Sequence, residues 1–351
     1  MIQRLFRKMK SIKNKLEFAG YCYTHGDDQR FVQTVKETGK RPEFVFLEKG
    51  EGDRITAPFY HIYMEESKSG FFADHNKLLE YLFFADFYQL TPVVEYTDQF
   101  CYAESHPVNG TTNPFEYFFE QPAGVGLDEM RNSSTIIHSR KDNIMLAKNL
   151  NVKQDGYTKS ENYLEQMARI SSKYIRLQPR IREWIEKEQE KNIFFAVQGN
   201  ILGVHIRGTD FKRNYNGHPV AVSLDEYEEE VDNLLNCKKY EKIFLATDDE
   251  NAIEQFERKF SGKVIFYKDV IRSKGDETVM KSESDRENHH FKLGLEVLRD
   301  MYTLAQCDGL IAGLSQVSFA ARIQKMAMGK QYCDMRILDK GLNYHKAQNC
   351  Q

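Results

Sequence analysis

The 351-residue chain lacks any run of the roughly 18 uninterrupted apolar residues that a membrane-spanning helix requires, and its first residues lack the apolar core of a secretory leader. Neither an integral nor an exported protein is expected. Cysteine pairing is missing too. Cys22, Cys101, Cys237, Cys307, Cys333 and Cys350 are scattered without a Cys-x-x-Cys, so neither a zinc knuckle nor a disulfide framework is indicated, and a reducing, cytoplasmic compartment fits. Charge of one sign is absent as well: 49 Lys and Arg against 52 Asp and Glu leave a formal net charge of -3, with no footprint for nucleic acid. No internal repeat or low-complexity tract is present. What remains is 41% hydrophobic, 29% charged and 13% aromatic residues, the profile of a soluble globular chain, at a length that suits about two domains.

The N-terminus carries a pattern of its own. Ile2, Leu5, Phe6, Met9, Ile12 and Leu16 recur at helical spacing, with Arg4, Arg7, Lys8, Lys10, Lys13 and Lys15 between them. A basic amphipathic helix over residues 1–18 has two readings, an ordinary solvated helix or peripheral docking on an anionic inner membrane surface, and both stay open.

From residue 201 onward, strand and helix signals alternate as in a doubly wound parallel sheet. Ile201 to Ile206 reads as a buried strand, Ser223 to Glu226 as a capping box opening a helix, Lys242 to Thr247 as the next strand, and Asp248 and Asp249 as caps of a helix running to about Phe260. Lys263 to Tyr267 is a third strand, Lys268 to Asn288 a polar flap, His289 to Gln306 a long helix and Gly309 to Ala312 a short strand; Ser315 then starts a final helix. The first half has a weaker rhythm, with strands at Phe44 to Phe46 and Pro92 to Glu95, a helix at Asn76 to Tyr88, and a helical segment from Asn162 to Asn192. The expected fold class is α/β, with two Rossmann-type domains facing across a cleft. The expected divisions are a basic segment 1–20, an N-terminal α/β domain 21–195, a C-terminal domain 196–335 and a tail 336–351.

The stretch Val204-His205-Ile206-Arg207-Gly208-Thr209-Asp210 is the most informative in the chain. An apolar strand ends in His-x-Arg-x-x-Asp, so Arg207 and Asp210 emerge at its carboxyl end, where open α/β sheets bind ligands. A guanidinium is permanently charged and grips two oxygens at once, which suits a diphosphate. The backbone N–H groups opening the helix at Ser315, Gln316 and Val317 form a second anion site.

Three segments resemble, in order, motifs of the fucosyltransferase superfamily that contains α-1,6-fucosyltransferases, nodulation fucosyltransferases and protein O-fucosyltransferases. They are His205 to Asp210; Phe244-Leu245-Ala246-Thr247-Asp248-Asp249; and Asp300 to Asp308 followed by Gly313-Leu314-Ser315-Gln316-Val317-Ser318. The resemblance covers about residues 201–325 and is loose before that. It implies a GT-B fold and an inverting transferase that needs no cofactor and no metal, consistent with the absence of Asp-x-Asp from the chain. It also implies a GDP-sugar donor, GDP-fucose in characterised members, but not the acceptor class; the expected activity is transfer of fucose to a glycan or lipid-linked saccharide acceptor in bacterial surface polysaccharide synthesis. The donor-binding residues would be His205, Arg207, Asp248, Asp249, Asp300, Ser315, Gln316 and Val317, with Asp300 matching the aspartate that reads guanine. Arg207 and Asp210 would be catalytic. Two departures stand out. The family's second arginine is Gly208 here, leaving Lys212 or Arg213 as substitutes, and Tyr215 stands where α-1,6 members carry their proposed base. Asp210, His218 and Asp74 are then the candidate bases. A GDP-mannose or UDP-sugar donor, or a non-catalytic nucleotide- or glycan-binding role, are the alternatives.

Overall fold

The computed structural model describes residues 47–48, 58–65, 69–133, 136–151, 156–157, 159–194, 197–237 and 239–344, with Leu16 the one described position before them. The amphipathic segment 1–18, Leu16 apart, the strand read at Phe44 to Phe46 and the boundary at residue 195 lie outside the described residues. Among the described residues no helix is long and apolar enough to cross a membrane.

Leu47–Gln351 makes up one compact unit containing two sheets. The smaller sheet holds β1 (Leu47–Glu48), β2 (Phe59–Met64), β3 (Thr91–Tyr96) and β4 (Ile136–His138) in the order β1-β4-β2-β3. Its β4, β2 and β3 are parallel, and β1 lies antiparallel at the edge. Helix α1 (Phe71–Phe87) makes the crossover from β2 to β3 and is buried on nearly every side, as a helix between two layers must be. Some of its buried polar groups are matched across the layer, while His75 Nδ1 and Asn76 Oδ1 are buried with no partner among the described residues. Glu80 accepts a hydrogen bond from the Tyr163 hydroxyl at 2.9 Å, on α2 (Glu161–Tyr174).

The larger sheet is built of β5 (Ile201–Ile206), β6 (Lys242–Thr247), β7 (Val264–Ile265), β8 (Gly309–Gly313) and β9 (Asp334–Leu338), all parallel, in the order β7-β6-β5-β8-β9. After α3 (Pro179–Gln189), the helices accompanying this sheet are α4 (Leu224–Asn236), α5 (Glu250–Lys259), α6 (His289–Gln306) and α7 (Gln316–Ala327). The chain winds outward from β5 through β6 and β7, then returns to lay β8 on the other side of β5. That reversal makes the gap between β5 and β8 the topological switch point, where such sheets open a crevice at their carboxyl ends. Every residue of β5 is buried, as expected of a strand covered on both faces. Gly203 allows the close cover: a Cβ there would lie 3.1 Å from Leu304 Cδ2 and 3.2 Å from Cys307 Cβ.

Helix starts follow their local chemistry. Ser223 and Glu226 close a capping box on α4, Asp249 accepts from Asn251 N at 3.0 Å to open α5, and Ser315 accepts from Ser318 N at 3.1 Å to open α7.

The expected α/β layout, with a doubly wound parallel sheet in the later part of the chain, is what the structure shows, with local corrections. The helical segment read from Asn162 to Asn192 is two helices, α2 and α3, because Pro179 occupies the first turn of α3 and its ring bars Gln178 from helical geometry. The tail read from 336 begins later, since β9 continues to Leu338 as the fifth strand. Strands β2 and β4 carry no strong alternation and were not expected, and β7 is shorter than Lys263 to Tyr267. Helix α1 starts at Phe71, not Asn76.

Candidate functional site

A cavity of about 390 Å³ opens at the carboxyl ends of β5, β6 and β8, a size ordinary for a small-molecule site. His205 and Arg207 reach it from β5, Asp248 from β6, and Ser315, Gln316 and Val317 from the start of α7. Helix α6 contributes Leu293, Glu296, Val297 and Asp300, whose spacing of three, four and seven places them on one helical face. Phe72 and Tyr102 close the opposite wall from the half of the molecule that holds the smaller sheet. A wider groove of about 800 Å³, lined by Gln121 and Gln178 among others, contains none of the motif residues. Its amides are already spent: Gln121 Nε2 donates to Glu116 at 2.8 Å and Gln178 Nε2 to the Phe119 carbonyl at 3.0 Å.

At one end of the cavity Asp248 gathers donors. Arg207 forms an ion pair with it, Gly208 N donates at 2.9 Å and Thr209 Oγ1 at 2.7 Å. Burial alone pushes the Asp248 carboxyl up, but Arg207 and these donors outweigh it and hold the group below the usual range. Asp248 thus stays charged and orients Arg207. His205 lies alongside, its Nδ1 3.3 Å from Ser315 Oγ; burial drops its pKa to about 4, so the imidazole is neutral at ordinary pH. Beside them the first turn of α7 presents backbone N–H groups. Ser318 N is capped by Ser315, while among the described residues no hydrogen bond leaves the Gln316 or Val317 N–H. A cation and a helix N-terminus side by side are suited to an anion.

The other end differs. Asp300 is 8% exposed, and burial raises its pKa to about 7 against the opposing pull of Arg299 and Arg272. No hydrogen bond to its carboxylate is made by the described residues. Behind it Arg299 is fully buried, held by Asp269 through Nη2 at 2.6 Å and by Glu188 at 3.2 Å, and stacked 3.8 Å over the Tyr267 ring. Arg299 is therefore committed to the scaffold, and Asp300 keeps its acceptor capacity for whatever enters between Ile271, Leu293 and Val297.

Several residues read from the sequence lie elsewhere. Asp249 is 1% exposed, caps α5, pairs with Lys212 Nζ at 2.7 Å and does not line the cavity. Its proposed contact with a donor is accordingly withdrawn. Lys212 is used up in that pair, and Arg213 donates to the Tyr215 hydroxyl at 3.3 Å, so neither replaces the missing second arginine at the cavity. Gly208 cannot carry a side chain as packed, because a Cβ would fall 2.4 Å from Asp249 Cβ. Asp74 is buried inside α1 and does not line the cavity. Asp210 begins a 3-10 turn, Asp210–Arg213, and its side chain is outside the described residues. His218 does line the cavity. Sequence reading missed Glu296, Tyr102, Val270 and Ile271; of these only Glu296 had a signal, its register with Asp300 on α6.

Fold and site together define a doubly wound α/β protein with a ligand-sized cavity at its switch point. No protein-family model matches the chain, and a search of curated proteins returned no match. Solved structures do align with it. NodZ α-1,6-fucosyltransferase soaked with GDP-fucose is 19% identical over 76% of this chain and 92% of that one, with a TM-score of 0.49. Fucosyltransferase NodZ from Bradyrhizobium is 19% identical over 78% and 94%, with a TM-score of 0.48. POFUT1 in complex with GDP-fucose is 11% identical over 84% and 100%, with a TM-score of 0.44. None of these alignments reaches a TM-score of 0.5.

Proposed function

We propose that the chain is an inverting glycosyltransferase that moves fucose from GDP-fucose to a glycan or lipid-linked saccharide, with the larger sheet holding the donor and the smaller-sheet half the acceptor side. The observation that carries this reading is the polarity of the cavity. It has a cation and a helix N-terminus at one end, and at the other a buried carboxylate to which no described residue donates. Guanine offers N1–H and its exocyclic amine as an adjacent donor pair, which one carboxylate accepts together and uracil cannot supply. A diphosphate then extends toward Arg207 and the α7 start, so GDP spans both ends. Choice of fucose rests on the motif resemblance.

In the transfer, the acceptor oxygen bonds to the anomeric carbon as the bond from that carbon to the β-phosphate oxygen breaks, and the electron pair leaves on GDP. Arg207, oriented by Asp248, and the Gln316 and Val317 N–H groups neutralise the charge that builds there. The acceptor proton passes to His218, the candidate base whose described side chain lines the cavity. Calorimetric titration with GDP, UDP and GDP-fucose in the presence of a chelator tests the reading. Selective GDP binding that weakens in Asp300→Ala is expected; preference for UDP, or no nucleotide binding, overturns it.

A further inference from the structure

At the rim of the cavity, around His218, aromatic rings collect that the donor reading leaves unused. Tyr157 and His218 both line the cavity, with ring centroids 6.0 Å apart. Tyr215 and Phe211 meet His218 in edge-to-face geometry, with ring centroids 5.7 Å and 6.2 Å away. Phe211 is 9% exposed and belongs to the core, whereas Tyr215 is 46% exposed, one of few large aromatics the described surface leaves in water. That exposure is held in place. Arg213 donates to the Tyr215 hydroxyl at 3.3 Å, and His218 N donates to the Tyr215 carbonyl at 3.0 Å, closing a turn through Gly217 at φ +77°.

Residues 341–343, beyond the end of β9, then clamp the turn. Gly217 N donates to Asn343 O at 2.7 Å, Asn343 N to His218 O at 2.8 Å, and Val220 N to Gly341 O at 2.9 Å. Asn343 Nδ2 adds bonds to the carbonyls of His218 at 3.2 Å and Pro219 at 3.1 Å. A water-exposed aromatic held in place beside a cavity-lining imidazole is a surface that a ligand can cover without reordering the chain. Within the ring group, His218 Nδ1 is buried and has no hydrogen-bond partner among the described residues.

We propose that Tyr157, His218 and Tyr215 form the acceptor subsite, an aromatic platform that seats a pyranose ring of the acceptor by its C–H face and brings one hydroxyl to His218. This rests on the transferase reading above. The chemistry is that of a half-apolar ligand: the axial C–H bonds of a pyranose present a weakly positive face to the negative face of a π system, while the equatorial hydroxyls stay in water. Tyr215 supplies the face without a carboxylate, so at this position the residue selects the acceptor and the proton is taken next door. A segment pinned at both ends keeps the ordering cost of binding low.

The test is saturation-transfer NMR on the full chain with a panel of methyl pyranosides of gluco, galacto, manno and N-acetylglucosamine configuration, run beside calorimetric titration with GDP-fucose. Saturation concentrated on the C–H face of at least one pyranoside is expected, with affinity about tenfold weaker in Tyr215→Ala and restored in Tyr215→Phe, each with an unaltered melting transition. If GDP-fucose binds and no pyranoside is saturated, or if Tyr215→Ala binds as the parent does, the platform is overturned and the donor reading stands. Should the pyranoside bind in a Tyr215-dependent way while GDP-fucose does not, the platform stands and the transferase reading falls.

Discussion

Asp248 and Asp300 are carboxylates on the wall of one cavity, yet the fold treats them in opposite ways. Asp248 receives an arginine, a backbone N–H and a hydroxyl, and its pKa falls. Asp300 receives no described hydrogen bond, and burial lifts its pKa to about 7. The first is a positioning group whose valence the protein fills. The second is left open at a cost in stability, which is how binding sites differ from scaffold. Substitutions at the two ends should therefore separate: at the Asp248 end the loss falls on turnover, and at the Asp300 end on affinity and its pH dependence.

The largest effect is expected from Arg207→Ala. Removing the cation that faces the departing diphosphate should lower kcat by about 10²–10³-fold, read as GDP release per folded protein. An unchanged kcat removes Arg207 from the chemistry. Next comes Asp300→Asn, which keeps the shape but loses the charged acceptor; GDP affinity should fall by roughly ten- to a hundredfold by calorimetry, a loss of about 1.5–3 kcal/mol. Inosine diphosphate, which lacks the exocyclic amine, should bind the parent more weakly than GDP but bind Asp300→Asn about as well as GDP does. If the parent does not discriminate the two, Asp300 does not read the amine.

The pH dependence sharpens the same contrast. A carboxylate near 7 must ionise to accept from guanine, so GDP-fucose affinity should rise between pH 6 and 8 in the parent and stay flat in Asp300→Asn. The sugar diphosphate does not titrate there, which isolates the protein group. Stability runs the other way. A raised acid pKa stabilises the ligand-free fold fully below its unfolded value of 3.8, and that contribution is lost as pH climbs through about 7. Differential melting should thus find Asp300→Asn gaining on the parent from pH 4 to pH 8; parallel curves would place the proton elsewhere.

Smaller effects test the frame. Gly208→Ala pushes a methyl into Asp249, and overpacking of this kind costs about 1–3 kcal/mol, visible as a lower denaturant midpoint. Ser315→Ala removes the cap of α7 and should cost about 1 kcal/mol, with a modest rise in KM for the donor. A midpoint unmoved in Ser315→Ala would mean that another donor or acceptor takes over the cap.

Legibility followed the range of the interactions. Strand β5, the Ser223 capping box, the long α6 and the Ser315 start of α7 were readable because strand burial, reciprocal caps and helical spacing are written within a few residues. Strands β2 and β4 were not, since β2 is almost wholly buried and β4 is three residues long, so neither shows a period of its own. At the site, the Asp248 and Asp249 pair illustrates the limit. Two adjacent carboxylates at the end of β6 look alike in sequence. Alternation of side chains and the packing of Gly208 send one to Arg207 at the cavity and the other into a cap with Lys212.

The sequence by itself determined the α/β alternation from residue 201, the helix starts and the cluster of charged residues at strand ends, because backbone propensity and capping are local. Only tertiary structure decided which of those charges share a cavity. Asp300 and Arg207 line opposite ends of one cavity because β8 is laid beside β5 rather than β7, a consequence of parallel pairing and crossover handedness that no local pattern encodes. The rim aromatics likewise depend on residues 341–343 returning to clamp His218, a contact across more than a hundred residues of chain.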